Sequence, residues 1–303
     1  MAEQHFSGVF SLLLTPFLKD KSIDWPAYER YLDWQLEMEP NGLFAVCGSS
    51  EMKWLTLDER LELARLAAKR AGSIPVVATA NLQPDLSFHS VEVGRMADTG
   101  VAGVVLVPPP GVGVDQGRLG DYFAGVIDAS PIPTLIYEWP MVSPYFVDAA
   151  VYGKLVRDHG LAGIKDTTCT MEGIGKKIEL TGSATVFQAN APFFLESIHR
   201  GANGIMAIVT TAAADLAIDF WNQAKKGSPR AEELHEALVL LDCALIRGGA
   251  YPATGKHLAV LRGLDMEITC RAPGVPVPEV LEAVRVWHSH AMRTGALRTA
   301  SHA

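Results

Sequence analysis

The sequence predicts an α/β protein: a (β/α)8 TIM barrel with a C-terminal helical extension. Two observations carry this. Eight short apolar runs recur along the chain, and each is followed by a longer segment with helical spacing. The runs are also too short and too uniformly apolar for half-exposed antiparallel strands, and read instead as parallel strands covered on both faces. Eight strand–helix units suit a closed barrel. An open doubly wound sheet is the alternative that periodicity leaves standing.

The runs are Val9–Leu14, Leu43–Cys47, Pro75–Thr79, Gly103–Val107, Thr134–Tyr137, Leu161–Ile164, Thr185–Phe187 and Gly204–Ile208. Asp24 caps a helix that continues to about Met38. Thr56 and Glu59 form a capping box that opens a helix toward Ala71. Further helices are expected near Ser90–Thr99, Leu119–Ala129, Asp148–His159, Met171–Leu180, Pro192–Arg200 and Ala213–Lys226. Gly227-Ser228-Pro229 then breaks the alternation. Helices follow over Arg230–Ile246, from about Thr254 to Arg262, and from Pro278, with a loop at Ala272–Pro276. The expected division is a barrel over 1–228 and a helical region over 229–303.

Composition excludes several classes. The net charge of −8 and pI near 5.6, with no basic run, argue against nucleic acid or an anionic membrane as partner. The cysteines, Cys47, Cys169, Cys243 and Cys270, are widely separated, so neither a disulfide framework nor a zinc site is expected. No apolar stretch approaches the length of a bilayer span, and Met1–His5 lacks the basic start and apolar core of a signal peptide. These features point to a cytoplasmic protein. Gly111-Val112-Gly113 has Gln116 in place of the third glycine of a dinucleotide fingerprint. Gly255-Lys256 is followed by His257, not the Ser/Thr of a phosphate loop, and no strand precedes it.

In a parallel barrel the chemistry gathers at the C-terminal ends of the strands. Three of these ends are unusual. Lys165 closes the apolar run Leu161–Ile164, where burial would lower its pKa and free the amine for Schiff-base chemistry. Cys47-Gly48-Ser49-Ser50-Glu51 follows the second run; its hydroxyls and backbone N–H groups suit a carboxylate. Tyr137 ends the fifth run, where a phenol can pass protons. Each segment alone has an ordinary reading: a surface lysine, a serine-rich turn, and an aromatic beside a turn proline. Together they supply an amine, a carboxylate cradle and a proton relay, a set suited to making or breaking a bond beside the ketone of a 2-oxo acid.

With these segments in order, the chain resembles the dihydrodipicolinate synthase / N-acetylneuraminate lyase family of Schiff-base aldolases. The resemblance runs from Gly8 to about Trp221. It rests also on Thr15-Pro16-Phe17, Leu55–Arg60, the Tyr137-x-x-Pro140 segment, Gly163-Ile164-Lys165-Asp166 and Gly201–Ile205. It implies that Lys165 forms the Schiff base, Tyr137 shuttles protons and Ser49 relays them. Ser50 with its backbone N–H would hold the substrate carboxylate, while Gly48, Glu138 and Ile208 would line the substrate. It further implies a homotetramer or homodimer, a pyruvate-like 2-oxo acid as the small-molecule partner, and neither metal nor organic cofactor.

The chain departs from the family pattern in places. Ser50 runs directly into Glu51, where the family places a glycine between. Val107–Gly111 lacks the tyrosine that the synthase branch sends into the neighbouring subunit, and Val142 stands near the position of that branch's second-carboxylate arginine. Glu138 replaces a common asparagine; it either faces the site or is paired away from it. These departures favour an aldolase or dehydratase of a 2-keto-3-deoxy sugar acid or a substituted pyruvate adduct. Dihydrodipicolinate synthase itself is the alternative, and a barrel that only binds a 2-oxo acid is a third reading.

Overall fold

The computed structural model describes residues 6–274 and 278–297. Met1–His5, Val275, Pro276 and the end of the expected helical region at 298–303 lie outside the described residues.

Eight strands form a closed parallel barrel in sequence order. They are β1 (Gly8–Leu12), β2 (Gly42–Phe44), β3 (Val76–Thr79), β4 (Gly103–Leu106), β5 (Thr134–Tyr137), β6 (Gly163–Asp166), β7 (Thr185–Gln188) and β8 (Gly204–Ile205). Pairing of β8 with β1 closes the ring and excludes an open sheet. Around it run α1 (Trp25–Leu36), α2 (Leu57–Ala71), α3 (His89–Ala97), α4 (Gln116–Asp128), α5 (Ala149–His159), α6 (Met171–Leu180), α7 (Phe194–His199) and α8 (Thr210–Lys225). Then follow α9 (Arg230–Ile246), α10 (Ala253–Leu261) and α11 (Pro278–Thr294). Among the described residues no helix is long and apolar enough to cross a membrane.

The start signals read from sequence operate as expected. The Asp24 carboxylate accepts from Ala27 N, and Thr56 and Glu59 complete a reciprocal capping box. One boundary matters for chemistry. β6 continues past Ile164, so Lys165 lies inside the ladder, in register with Tyr137 on one side and Phe187 on the other. At β8 the opposite occurs: the regular strand stops at Ile205, and α8 begins at Thr210.

The barrel floor is built from glycines facing aromatics. A Cβ on Gly42 would lie 2.3 Å from the Phe10 ring, and one on Gly204 2.2 Å from the Phe187 ring. Those two rings meet edge to face at 5.1 Å and close the bottom of the barrel. Side chains alternate along a strand, so Lys165 and Tyr137 share the interior face with Gly163 and Leu135, one layer higher. The floor shuts water out from below and leaves the C-terminal mouth as the entry.

Past the barrel, α9 packs on α8 and α11, and α10 lies against α8. The Trp287 indole donates to Ala237 O at 3.0 Å and pins α11 to α9. Gly163 offers a direct check of the packing, since a Cβ there would fall 2.7 Å from the Thr185 carbonyl oxygen, which is backbone and cannot yield. Gly163→Ala is expected to cost about 1–3 kcal/mol in urea denaturation.

Candidate active site

Four cations are buried among the described residues: Arg60, Lys165, Lys177 and Lys256. Three of them are paired. Arg60 donates to Glu92 at 2.7 Å, Lys256 to Glu51 at 2.8 Å, and Lys177 to both Glu138 at 2.5 Å and Asp166 at 2.7 Å. Lys165 is the exception. It is 4% exposed and has no carboxylate or hydrogen-bond partner among the described residues. Its Nζ lies 3.9 Å from the centre of the Tyr137 ring and 5.7 Å from that of Phe44. Burial without a counter-ion pushes its pKa down to about 8. Burial acts on Tyr137 in the opposite sense, raising its pKa and keeping the phenol protonated.

The strand ends that carry Lys165 and Tyr137 are locked together from behind. Glu138 follows Tyr137, and its carboxylate accepts from Val147 N, Thr167 N and Lys177. Lys177, on α6, also donates to Asp166 and to Thr168 Oγ1. The expectation that Glu138 lines the substrate is therefore corrected. The strand alternation that turns Tyr137 inward turns Glu138 outward, into this network between barrel and α6. Burial raises the Glu138 pKa, and the neighbouring Lys177 opposes the shift.

The serine loop also differs from expectation. Ser50 is fully buried, and its hydroxyl lies 2.6 Å from both Leu13 O and Ala45 O. Its backbone N–H donates to Cys47 O. Both groups expected to hold a carboxylate are thus occupied, and Ser50 is a structural staple of the loop. Glu51 takes the left-handed conformation at φ 61°, the role a glycine would fill in that turn. Its strain is offset by charge-assisted bonds from Lys256, Arg271 N and Ala272 N.

Ser49 remains as the loop's available hydroxyl. It makes no hydrogen bond to Tyr137, and instead its Oγ accepts from Tyr251 at 2.5 Å. Tyr251 comes from the turn before α10, 202 residues away in sequence. Gly48 sits between the two halves of the site: a Cβ on it would lie 3.3 Å from Trp139 Nε1 and 3.4 Å from the Tyr137 hydroxyl. Ile208 is half-buried between β8 and α8, and its carbonyl accepts from Thr211 Oγ1.

A cavity of about 360 Å³ opens beside these residues, lined by Arg60, Asn81, His89, Pro109, Trp139 and Val142 among others. Trp139 is common to this cavity and to the space over Gly48. Asn81, Tyr122, His89 and Gln83 O form a continuous hydrogen-bond chain that fixes the loops after β3. Among the described residues no group of acidic, histidine or cysteine side chains is arranged to hold a metal.

Sequence reading did not single out Lys177 or Tyr251. A tyrosine in a turn and a lysine in a helix carry no local mark of their partners, which are brought to them by closure of the barrel and return of the tail.

A family model described as the dihydrodipicolinate synthetase family matches residues 5–284. The chain belongs to this family. A 4-hydroxy-tetrahydrodipicolinate synthase from Bradyrhizobium diazoefficiens is 29% identical over 92% of this chain and 94% of its own length. The dihydrodipicolinate synthase of Thermotoga maritima superposes with a TM-score of 0.88 at 23% identity, covering 97% of this chain and all (100%) of that one. A prophage protein of the same family from E. coli K12, solved in complex with pyruvate, gives 0.87 at 19% identity, covering 96% and 99%. The fold and the family expected from the sequence are both found, and the chain is a class I, lysine Schiff-base lyase of this family.

The buried tie behind the site is open to test. Lys177→Met leaves Glu138 and Asp166 buried together without a cation, and is expected to lower stability by about 3–5 kcal/mol in denaturant titration. Tyr251→Phe removes one hydrogen bond from Ser49 and is expected to raise KM for a 2-oxo acid by about ten-fold, with a smaller change in kcat.

Proposed function

We propose that the protein is a Schiff-base lyase, an aldolase or dehydratase, acting on a pyruvate-derived 2-oxo acid such as a 2-keto-3-deoxy sugar acid or a substituted pyruvate adduct. The observation that supports it most is the state of Lys165: among the described residues, the one buried cation without a counter-ion, resting against the ring of Tyr137. An amine with pKa about 8 keeps a minority neutral fraction near physiological pH, far larger than that of an ordinary lysine, and this fraction can attack a ketone.

The chemistry follows from the pair. The neutral Lys165 amine adds to the ketone carbon of the 2-oxo acid. Tyr137 gives its proton to the departing hydroxyl, water leaves, and an iminium cation stands beside a phenolate. The new cation next to the ring stabilises that phenolate, which burial alone disfavours. The phenolate then removes a proton from the carbon next to the imine, giving a neutral enamine and restoring the phenol. Bond formation or cleavage at that carbon proceeds from the enamine, and addition of water returns the free amine.

The cavity beside Trp139 receives the remainder of the substrate. Its lining is largely apolar on the side of Pro109, Trp139 and Val142, with Arg60 and Lys53 at its edge. Val142 cannot make the bidentate carboxylate contact that an arginine would. This favours a substrate other than aspartate semialdehyde. The relatives' names support the second reading, a 4-hydroxy-tetrahydrodipicolinate synthase; a condensation rate with aspartate semialdehyde above that for any 2-keto-3-deoxy acid would establish it. We further propose a cytoplasmic homotetramer or homodimer, which light scattering would measure.

Borohydride reduction in the presence of pyruvate is expected to leave a pyruvyl adduct on Lys165, located by peptide mass spectrometry; an unmodified Lys165 counts against the reading. The rate of adduct formation should rise with pH and level off above about 8, because only the neutral amine attacks. The lowered pKa also sets a stability trade. The unfolded chain binds the lysine proton more tightly than the native state does, so this lysine destabilises the fold at pH values below about 8, and the penalty fades as pH rises toward the lysine's ordinary range. Lys165→Met is expected to abolish turnover while raising stability at pH 7 by up to about 3 kcal/mol.

A further inference from the structure

We infer that Arg60, with Lys53, forms an anion-binding end to the cavity beside Trp139, and that the ligand taken there is a 2-oxo acid carrying a second carboxylate, or a similar anionic group, at the far end of an apolar linker. This rests on the Schiff-base reading above and deepens it by naming the substrate class.

Arg60, on α2, is 4% exposed, yet its guanidinium is only partly used. Nη2 donates to Glu92 Oε1 at 2.7 Å. Nε is buried and has no hydrogen-bond partner, and Nη1 makes no hydrogen bond among the described residues. Glu92 is not free to complete the pairing. Its other oxygen is held by Leu82 N at 2.9 Å and Gln83 N at 3.1 Å, which fixes the carboxylate to one nitrogen of Arg60. A guanidinium suits two parallel bonds to a carboxylate or phosphate, and an incompletely paired cation in a dry interior is costly. An anion drawn up against Arg60 offsets that cost.

The cavity that Arg60 lines has the matching sign. Lys53 stands at its rim, exposed and without an ion pair among the described residues, and no aspartate or glutamate is among the lining residues. The neutral groups of the wall are committed elsewhere. Asn81 bonds to Val107 and Tyr122, and His89 to Tyr122 and Gln83 O. The two cations are the charged groups left to meet a ligand.

The order of the strands sets the length of that ligand. Trp139, on the loop after β5, marks the end of the cavity near the reacting amine: it packs with the Tyr137 hydroxyl around Gly48, and the Tyr137 ring lies 3.9 Å from Lys165 Nζ. Arg60 stands by the loop after β3, whose Leu82 and Gln83 share Glu92 with it. The loop after β4 lies between them in the barrel order, and it offers Val107, Pro108, Pro109 and Pro110 to the cavity. A molecule joined to Lys165 and reaching Arg60 crosses this apolar wall. The short reach that an arginine at Val142 would serve is replaced by a longer one.

Borohydride trapping of Lys165 tests this with matched pairs of 2-oxo acids: 2-oxohexanoate with 2-oxohexanedioate, 2-oxoheptanoate with 2-oxoheptanedioate, and 2-oxooctanoate with 2-oxooctanedioate. Members of a pair differ only in the far carboxylate. In the wild type the diacid of at least one pair is expected to half-saturate at a concentration about ten- to a hundred-fold lower than its partner, the worth of one charge-assisted hydrogen bond. Arg60→Lys keeps a cation for Glu92 and loses the fork, and should bring that ratio toward one. Lys53→Met changes an exposed residue and should lower the ratio by about two- to five-fold, an effect that high salt reproduces. No diacid preference in any wild-type pair, or a preference kept in both variants, overturns the anion site. Absence of any adduct with pyruvate in the wild type instead removes the Schiff-base reading beneath it.

Discussion

An ammonium group in a dry interior must be neutralised, paired or left at a lowered pKa, and the way this barrel distributes those outcomes organises its site. Arg60, Lys177 and Lys256 are each held by carboxylates. Among the described residues Lys165 is held by the aromatic faces of Phe44 and Tyr137, with no carboxylate. The difference arises from strand alternation: β6 turns Lys165 into the barrel and Asp166 out of it, so the adjacent carboxylate cannot neutralise the amine. Lys177 then takes up Asp166 together with Glu138. The neighbouring strand ends of β5 and β6 are fixed by one buried cation, and the amine and phenol are presented on the opposite face.

The C-terminal region takes part in the site as well as covering the barrel. Tyr251 reaches Ser49, Lys256 reaches Glu51, and the Arg271 side chain bonds to Glu59 while its backbone N–H joins Ala272 N on Glu51. The serine loop is thus held by residues more than two hundred positions away in sequence. This accounts for the tolerance of a glutamate in a left-handed turn, where glycine is the unstrained choice. The sequence-level departure at Glu51 is matched by a second departure in the tail, and neither is intelligible without the other.

The space over Gly48 shows a related exchange. Glycine removes a side chain at the point where the serine loop approaches Tyr137, and the indole of Trp139 and the Tyr137 hydroxyl pack close in the room this leaves. The loop's chemistry is therefore carried by fewer hydroxyls than its composition suggests. Of the two serines, one staples backbone carbonyls and the other is oriented by a tyrosine from the tail.

The barrel was legible in the chain because its strands and helices impose local periods. Thr134–Tyr137 and Met171–Leu180 were bounded correctly, and Asp24 and Thr56 marked their helix starts, since a cap is a contact between near neighbours. Lys165, Tyr137 and the serine loop were legible because a barrel gathers the C-terminal ends of its strands at one mouth. What the sequence left open is decided by contacts without a local signature. Glu138 was readable either as facing the site or as paired, and only Lys177 on the next helix settles which. Ser49 and Ser50 are adjacent and chemically alike, yet one hydroxyl meets Tyr251 and the other meets the ends of two strands. Amino-acid type and spacing determined which chemistry was present; the burial and pairing of each group, which set its charge and direction, came only from closure of the barrel and return of the tail.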